Sequence, residues 1–434
     1  INNCSFDDKT GLWSAGKDEK ERISQLEKEQ RRIIEVTTIY SSDTFYSKEV
    51  VLSKNVSLSN PQKNLSWEMS GLNEQNHLGN IYLSKIDNIF LKKKFGKNKF
   101  SMSNIMASPI ISENKIIFAD DRGTIFNINE TGSLNWKINI YKKIYKKIYK
   151  NLNFSIYKNH VYVSDNIGFI YSISLNTGEI VWIKNHGIPL KSNIKVYNNK
   201  IFLINQDNRV LCLNIKDGSK LWDIRSISSF IKSQNFLSLA LSEQGDVVVL
   251  NSAGDLFKAR GSDGYIYWSL NTSTSMLVDA TDFFKSSEVV ITNDNIIFSA
   301  GNSLYSHNLN NGKMNWQQEV NSVGAPIIDK GNIFLVSEKG YFVIMNKDTG
   351  KIISANNILK VLKKKKQDTS VTGFIMGSGK VYSVTLNGYL IISSAISGKV
   401  EFSKKIGDTI VTTPIINNDK LYILTKNSRI FGFN

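Results

Sequence analysis

A glycine recurs along this chain every 38 to 48 residues, and most of these glycines are followed four residues later by a tryptophan. The pairs are Gly132/Trp136, Gly178/Trp182, Gly218/Trp222, Gly264/Trp268 and Gly312/Trp316, and then the variant pairs Gly350/Ser354 and Gly398/Phe402. A fixed period of about 40–50 residues indicates a repeat architecture, in which every repeat is one supersecondary unit.

Within one repeat, short runs of β-branched and aromatic residues are separated by tight turns. Residues 161–182 contain three such runs, with glycine turns at Gly168 and Gly178, which predicts a meander of three strands. Pro109, Pro326 and Pro414 each precede a further apolar run just upstream of such a triplet. Because proline is tolerated only at a strand start or an unpaired edge, these runs are predicted to be innermost strands. Four antiparallel strands per repeat, arranged radially, form the blades of a β-propeller.

The last repeat, residues 421–434, lacks its third strand. The segment 64–69 near the N-terminus contains Trp67 and offers the missing outer strand, which would leave no open gap in the ring. The sequence therefore predicts an all-β fold, an eight-bladed β-propeller of four-stranded antiparallel blades over residues 61–434, closed by the N-terminal strand. A ninth blade involving residues 80–92 is the alternative.

Residues 1–60 differ from the rest, because their central part is highly charged with few apolar residues. We expect an N-terminal tether that is partly helical or disordered. The net charge of +16 is concentrated partly in lysine runs at 92–94, 141–150 and 362–366, which we expect to be loops. They are either ordinary solvated charge or a surface for an acidic partner or anionic lipid. No nucleic-acid-binding motif accompanies them, so nucleic acid is not an expected partner.

The chain shows no recognisable catalytic pattern. Its four histidines have no metal-ligand spacing and are expected at surface or loop positions; phosphate-loop, nucleophile-elbow and zinc-helix motifs are absent from the sequence. We expect no catalytic, metal-binding or cofactor-binding residues, and hence no enzyme. Cys212 lies within an apolar run and is expected to be buried. The repeated tryptophans are expected to pack between neighbouring blades.

The repeated pattern of strand, glycine turn, strand and Gly-x-x-x-Trp resembles the pyrroloquinoline-quinone (PQQ) repeat family over roughly residues 64–434. One branch of that family consists of quinoprotein dehydrogenases, which typically carry adjacent disulfide-bonded cysteines; this chain has no Cys-Cys pair. The other branch consists of BamB-type lipoproteins of the outer-membrane β-barrel assembly machinery, which have no cofactor. The size and the predicted blade count resemble the second branch, as does Cys4 before a polar segment, although Asn3 departs from the usual lipidation motif.

The resemblance implies a non-enzymatic scaffold on the periplasmic face of the outer membrane, anchored there by lipid on Cys4. Its partners would be a POTRA domain of a BamA-like barrel-assembly protein and unfolded outer-membrane protein precursors. Two loops that dock this domain in the family match segments here that contain the residues Phe230, Ile231 and Lys232, and Asp279 and Asp282. The alternatives are a PQQ-dependent quinoprotein dehydrogenase and a propeller interaction module with another partner.

Overall fold

The structure is a computed structural model that describes residues 6–7, 12–13, 17–36, 46–96, 107–225, 237–272, 286–363 and 368–434. Eight four-stranded antiparallel sheets follow one another along the chain, in agreement with the predicted eight-bladed propeller. In most neighbouring pairs of blades the first strands contact each other, so the first strands line the centre of the ring. The strands, from innermost to outermost, are Ile110–Ser112, Lys115–Ala119, Ile125–Asn129 and Leu134–Ile138 in blade 1; Leu152–Tyr157, His160–Asp165, Phe169–Ser174 and Ile180–Asn185 in blade 2; Lys195–Tyr197, Lys200–Ile204, Arg209–Asn214 and Lys220–Arg225 in blade 3; Ser238–Leu241, Val247–Leu250, Asp255–Ala259 and Ile266–Asn271 in blade 4; Val290–Ile291, Asn295–Ala300, Ser303–Asn308 and Met314–Gln318 in blade 5; Ile327–Asp329, Asn332–Val336, Tyr341–Asn346 and Ile352–Asn357 in blade 6; Val371–Gly377, Lys380–Thr385, Tyr389–Ser394 and Val400–Lys405 in blade 7; and Ile415–Asn417, Lys420–Leu424, Arg429–Phe433 and Ile89–Lys94 in blade 8.

The glycine–tryptophan repeat joins blades 1 to 6 in succession. The tryptophan of one blade packs on the glycine turn of the following blade, so that a Cβ on Gly218 would lie 2.6 Å from the ring of Trp182. The indole Nε1 of Trp182 also donates to the carbonyl of Ile215 in that blade, at 3.2 Å. The predicted packing between blades is therefore confirmed, although Trp182, Trp222 and Trp316 are half-buried rather than fully buried.

An N-terminal strand closes the ring, but it is not the strand that contains Trp67. The outer strand of blade 8 is Ile89–Lys94, which pairs with Arg429–Phe433. Leu91 in this strand is 3% exposed and takes the place of the tryptophan, since a Cβ on Gly132 of blade 1 would lie 2.8 Å from its Cδ1. Trp67 instead pairs with Ile111 in the innermost strand of blade 1, so the assignment of Trp67 to the outer strand was wrong.

The meander gives the ring two distinct faces. In each blade, the turn between the first two strands and the turn between the last two lie on one side, which we call the turn face. The segments that connect the outermost strand of one blade to the innermost strand of the next lie on the other side, which we call the crossover face. The basic segment 141–150 lies in a crossover, and most of the run 362–366 lies outside the described residues. Lys92 to Lys94 lie in a strand and not in the predicted loop.

Few helices accompany the propeller. The helix Lys17–Val36 precedes it, and two-residue strands at Phe6–Asp7 and Leu12–Trp13 pair with each other. Short 3₁₀ helices at Lys143–Tyr145 and Ile358–Val361 lie in two crossovers. Among the helices in the described ranges, none combines the length and the apolar character that a membrane span requires.

Candidate partner-binding face

All predicted site residues lie outside the part of the chain that the structure describes. Phe230, Ile231 and Lys232 fall in residues 226–236, Asp279 and Asp282 fall in residues 273–285, and Cys4 precedes the first described residue. The described residues on either side of the two loops nevertheless fix where each loop begins and ends.

The loop 226–236 connects blade 3 to blade 4. It begins directly after the outer strand Lys220–Arg225 and ends at Leu237, which is 2% exposed. The amide of Leu237 donates to the carbonyl of Lys191 at 2.9 Å, which ties the end of the loop to the crossover between blades 2 and 3. The described residues on either side of this loop, Arg225 and Leu237, therefore lie on the crossover face.

The loop 273–285 connects blade 4 to blade 5 and is held at both ends as well. Before it, both the amide and the hydroxyl of Thr272 donate to the carbonyl of Gly254, at 2.8 and 2.7 Å. After it, the amide of Ser287 donates to the carbonyl of Ser299 at 2.8 Å. Because the two loops join consecutive pairs of blades, the described residues that flank them are neighbours on the crossover face.

In the basic crossover 141–150, several aromatic and aliphatic side chains are buried, and three lysines are exposed. Tyr145, Ile148 and Tyr149 are buried, whereas Lys143, Lys146 and Lys147 are exposed. The segment is therefore neither a simple solvated loop nor a uniform basic surface, because its buried aromatic and aliphatic side chains attach it to the ring while only some of its lysines face solvent.

One lysine of this crossover is turned inward. Lys150 is 2% exposed, its Nζ donates to the carbonyl of Tyr145, and it lies over the ring of Tyr141 with 5.1 Å to the ring centroid. Burial lowers the pKa of Lys150 to about 8, and the nearby Asp165 opposes this shift.

The helix Lys17–Val36 packs on the same crossover. Arg22 donates from Nη1 to the carbonyls of Ile167 and Gly187 in blade 2 and its following crossover, at 2.6 and 3.1 Å. Farther along the helix, Gln30 exchanges hydrogen bonds with the backbone of Tyr149, and Ile23 is 4% exposed. Sequence reasoning missed this docking because the apolar residues of the helix are few, and their partners are distant in the chain.

Histidine positions differ in part from the prediction. His307 is 3% exposed in a strand of blade 5 and stacks on Phe298, with 5.7 Å between ring centroids. Its Nδ1 lies 2.9 Å from the carbonyl of Gly312, and burial lowers its pKa. The surface or loop expectation was therefore wrong for His307, whereas His160 is partly exposed at the start of its strand. Within the described ranges, no three His, Cys, Asp or Glu side chains come together in a way that could hold a metal ion, and Cys212 is fully buried, as expected.

A comparison with protein-family models and a comparison with known sequences match the same kind of protein. The family model described as "Outer membrane protein assembly factor BamB" matches residues 121–356. The assembly factor BamB of Moranella endobia (strain PCIT) is 20% identical over 301 residues, which cover 63% of this chain and 72% of that protein.

Two solved structures share the fold. BamB from Moraxella catarrhalis superposes with a TM-score of 0.63 at 12% identity, covering 79% of this chain and all of that chain. The quinohemoprotein alcohol dehydrogenase from Comamonas testosteroni superposes with a TM-score of 0.64 at 10% identity, covering 85% of this chain and 80% of that chain. At such identities the two likenesses establish the propeller and nothing about activity.

Proposed function

The chain belongs to the family of the outer membrane protein assembly factor BamB, and from this premise we propose that it is a non-enzymatic scaffold subunit of the outer-membrane β-barrel assembly machinery. It binds a POTRA domain of a BamA-like protein and assists the insertion of unfolded barrel precursors. The observation that carries this proposal is the family match over residues 121–356, because this range contains both candidate docking loops.

We place the docking site in the loops 226–236 and 273–285. Phe230 and Ile231 supply its apolar centre, and Lys232, Asp279 and Asp282 supply a charged rim, an arrangement typical of protein interfaces. The proposal is supported by the anchoring of both loops at adjacent crossovers, since a rigid scaffold can then present both loops to one partner domain.

The test is a titration of the POTRA domain with purified variants at physiological salt. Phe230→Ala with Ile231→Ala should weaken binding about thirtyfold or more, because truncating an interface hot spot costs about 2 kcal/mol or more. As a matched comparison on the same face, Lys143, Lys146 and Lys147 are changed to Gln; this variant should bind nearly as well as the unchanged protein, since peripheral charge acts mainly on the association rate. Loss of binding in the lysine variant alone would refute the docking site.

We further propose that lipid on Cys4 anchors the protein at the periplasmic face of the outer membrane. The helix Lys17–Val36 begins only about a dozen residues after Cys4 and packs on the crossover face. A chain of that length spans at most about 45 Å, so the anchor would hold the crossover face close to the membrane. Cys4→Ser should release the protein into the soluble periplasmic fraction, whereas unchanged membrane fractionation or an unmodified N-terminal mass would rule the anchor out.

A further inference from the structure

Residues 62–84 run once around the inside of the ring and contact the innermost part of every blade. We call this segment the internal clasp. Its contacts follow chain order and blade order together, starting and ending at blade 8. They are Asn64 with Ile416 and Asn418 in blade 8, Trp67 with Ile111 in blade 1, Glu68 with Ile156 in blade 2, Ser70 and Asn73 with Lys195 in blade 3, Glu74 with Leu241 in blade 4, Gln75 with Ile291 in blade 5, Leu78 with Ile328 in blade 6, Ile81 with Ser378 in blade 7, and Ser84 with Asp419 in blade 8.

Most of these contacts are hydrogen bonds between backbone groups. Trp67 and Ile111 exchange both of theirs, at 2.7 and 2.8 Å, as in an antiparallel ladder. The amide of Ser378 donates to the carbonyl of Ile81 at 2.8 Å, and Ile81 forms a parallel bridge with Gly377. The clasp thus pairs with innermost strands in both directions, which is possible because the inner edge of a sheet presents unpaired backbone groups to any extended chain.

Side chains reinforce the backbone contacts. Trp67 is 3% exposed, and Leu78, Ile81 and Leu83 are each 4% exposed. Asn76 donates from Nδ2 to the carbonyl of Leu239 in blade 4 at 3.1 Å and to that of Val289 beside blade 5 at 2.8 Å. The clasp forms strand-like bridges at Trp67 and Met69 and again at Ile81 and Leu83, and residues 70–75 between them form turns. Backbone pairing combined with buried apolar side chains is typical of a bound peptide ligand.

The contacts lie at the ends of the innermost strands, next to the turns to the second strands. The clasp therefore covers the centre of the ring on the turn face, opposite the crossover face that carries the candidate docking loops. An open polar cleft of about 550 Å³ remains between the clasp and the turns of blades 5 and 6, lined in part by His77, Asp294 and Lys330.

We propose that the inner rim of the turn face is a binding site for an extended polypeptide, and that the chain fills this site with its own clasp. This site is separate from the docking loops and does not depend on the proposed function. Its ligand is a peptide with a strand-like stretch at each end, which is recognised by backbone pairing together with apolar anchors at the positions of Trp67 and Ile81. The ring should then bind the clasp even when the two are not covalently connected.

The test cuts the folded protein on both sides of the clasp. Protease sites are inserted between Asn60 and Pro61 and between Lys85 and Asn88, where the chain is largely exposed; the outer strand Ile89–Lys94 stays attached to the rest of the ring. After cleavage we expect the clasp to co-elute with the ring in size-exclusion chromatography. A fluorescently labelled peptide of residues 62–84 in excess should slowly replace it, while a scrambled peptide should not.

Two peptide variants make the comparison specific. Trp67→Ala in the peptide should weaken binding about a hundredfold, since truncating a buried tryptophan costs about 3 kcal/mol or more. Tyr82→Ala should change binding little, because Tyr82 is 37% exposed. Equal loss in both peptides would overturn the proposed anchor role of Trp67.

The other possible outcomes of the cleavage experiment also test the proposal. If the clasp leaves and the ring stays folded by circular dichroism without binding added peptide, the proposal is overturned. If cleavage unfolds the ring, rescue of the fold by added peptide supports the proposal, and failure of the peptide to rescue it overturns the proposal.

Discussion

The contact between blades 5 and 6 allows a direct test of whether the turn glycine is needed beside the tryptophan of the preceding blade. Gly350 has a φ of +67°, and a Cβ added to it would lie 2.6 Å from Cε3 and 2.7 Å from Cδ2 of Trp316. The indole cannot readily move away, because its Nε1 donates to the carbonyl of Lys347 at 2.9 Å. Gly350→Ala therefore introduces both backbone strain and a clash between blades.

The two costs can be separated with a second glycine. A left-handed backbone conformation costs an L-residue about 1–2 kcal/mol, and inserting a methyl group into a packed contact costs about 1–3 kcal/mol more. Gly187 has a φ of +76°, but nothing lies within 4 Å of the Cβ position there. We expect Gly350→Ala to lower the free energy of unfolding by about 2–5 kcal/mol and Gly187→Ala by only the strain, about 1–2 kcal/mol.

The measurement is urea unfolding at constant temperature, followed by tryptophan fluorescence and circular dichroism, with the slope compared between variants. A third variant, Gly398→Ala, gives an internal reference. In the blade before Gly398, Ser354 stands in place of the tryptophan, and the Cβ would approach only side-chain ends, at 2.6 Å from Asn356 Nδ2 and 3.1 Å from Ser354 Oγ; the cost of this variant should stay near that of Gly187→Ala. Equal destabilisation by Gly350→Ala and Gly187→Ala would refute the idea that the glycine is needed to admit the tryptophan of the preceding blade.

Two further predictions concern the N-terminal elements. Leu91→Ala should lower the free energy of unfolding by about 2–5 kcal/mol, because Leu91 is 3% exposed and a cavity would open between blades 8 and 1; a change below about 1 kcal/mol in urea unfolding would contradict the closure by this strand. Arg22→Ala should release the helix Lys17–Val36 from blade 2, since both carbonyl contacts are lost. Hydrogen exchange should then become faster in the helix but not in the blade strands, and the exposed neighbour Lys20→Ala should leave exchange unchanged.

The blades could be predicted from the sequence because each is built from local signals. Turn glycines, β-branched runs and the following tryptophan all fall within one repeat, and a meander pairs strands that are consecutive in the chain. Even the contact between blades is encoded locally in five of the repeats, because the tryptophan follows the turn glycine at the same spacing there.

Ring closure was predicted only in outline, because it pairs segments from the two ends of the chain. Trp67 matched the tryptophan of the repeats, whereas the residue that occupies the corresponding position beside Gly132 is Leu91. The match in residue type therefore predicted the wrong closing strand, because leucine as well as tryptophan can occupy the space beside the turn glycine. The order of the N-terminal segments was not predictable from local pattern either, because the clasp has no strand periodicity and its hydrogen bonds reach every blade.

The candidate docking loops could be located from the sequence only as positions between repeats. Their placement on one face follows from the even number of strands per blade. What the sequence could not reveal is which charged residues are exposed. In the run 141–150, Lys147 is exposed while Lys150 is buried. Lys150 contacts Tyr141 within the run, but its acidic neighbours Asp121 and Asp165 come from other segments.

Lys195 is a second buried lysine, and its hydrogen-bond partners are distant in the sequence; it leads to a prediction about pH. Its side chain is fully buried beneath the clasp, where Nζ donates to the carbonyls of Ser70 and Asn73 at 2.7 and 2.6 Å. Burial lowers the pKa of Lys195 to about 7, and the carboxylates of Glu74 and Glu288 only partly oppose this shift. In the unfolded chain the pKa of lysine is about 10.4.

Between these two pKa values the unfolded state holds the proton more strongly than the folded state. The contribution of Lys195 to the free energy of unfolding must therefore rise as the pH increases from about 7 to about 10, by at most about 1.4 kcal/mol per pH unit, and must be flat below this window. Subtracting the unfolding free energy of Lys195→Met from that of the unchanged protein isolates this slope, because Lys150 and the tyrosines titrate in both proteins. A difference that stays constant from about pH 6 to 10 would show that the two carbonyls keep Lys195 charged throughout the window, and that burial does not control its protonation.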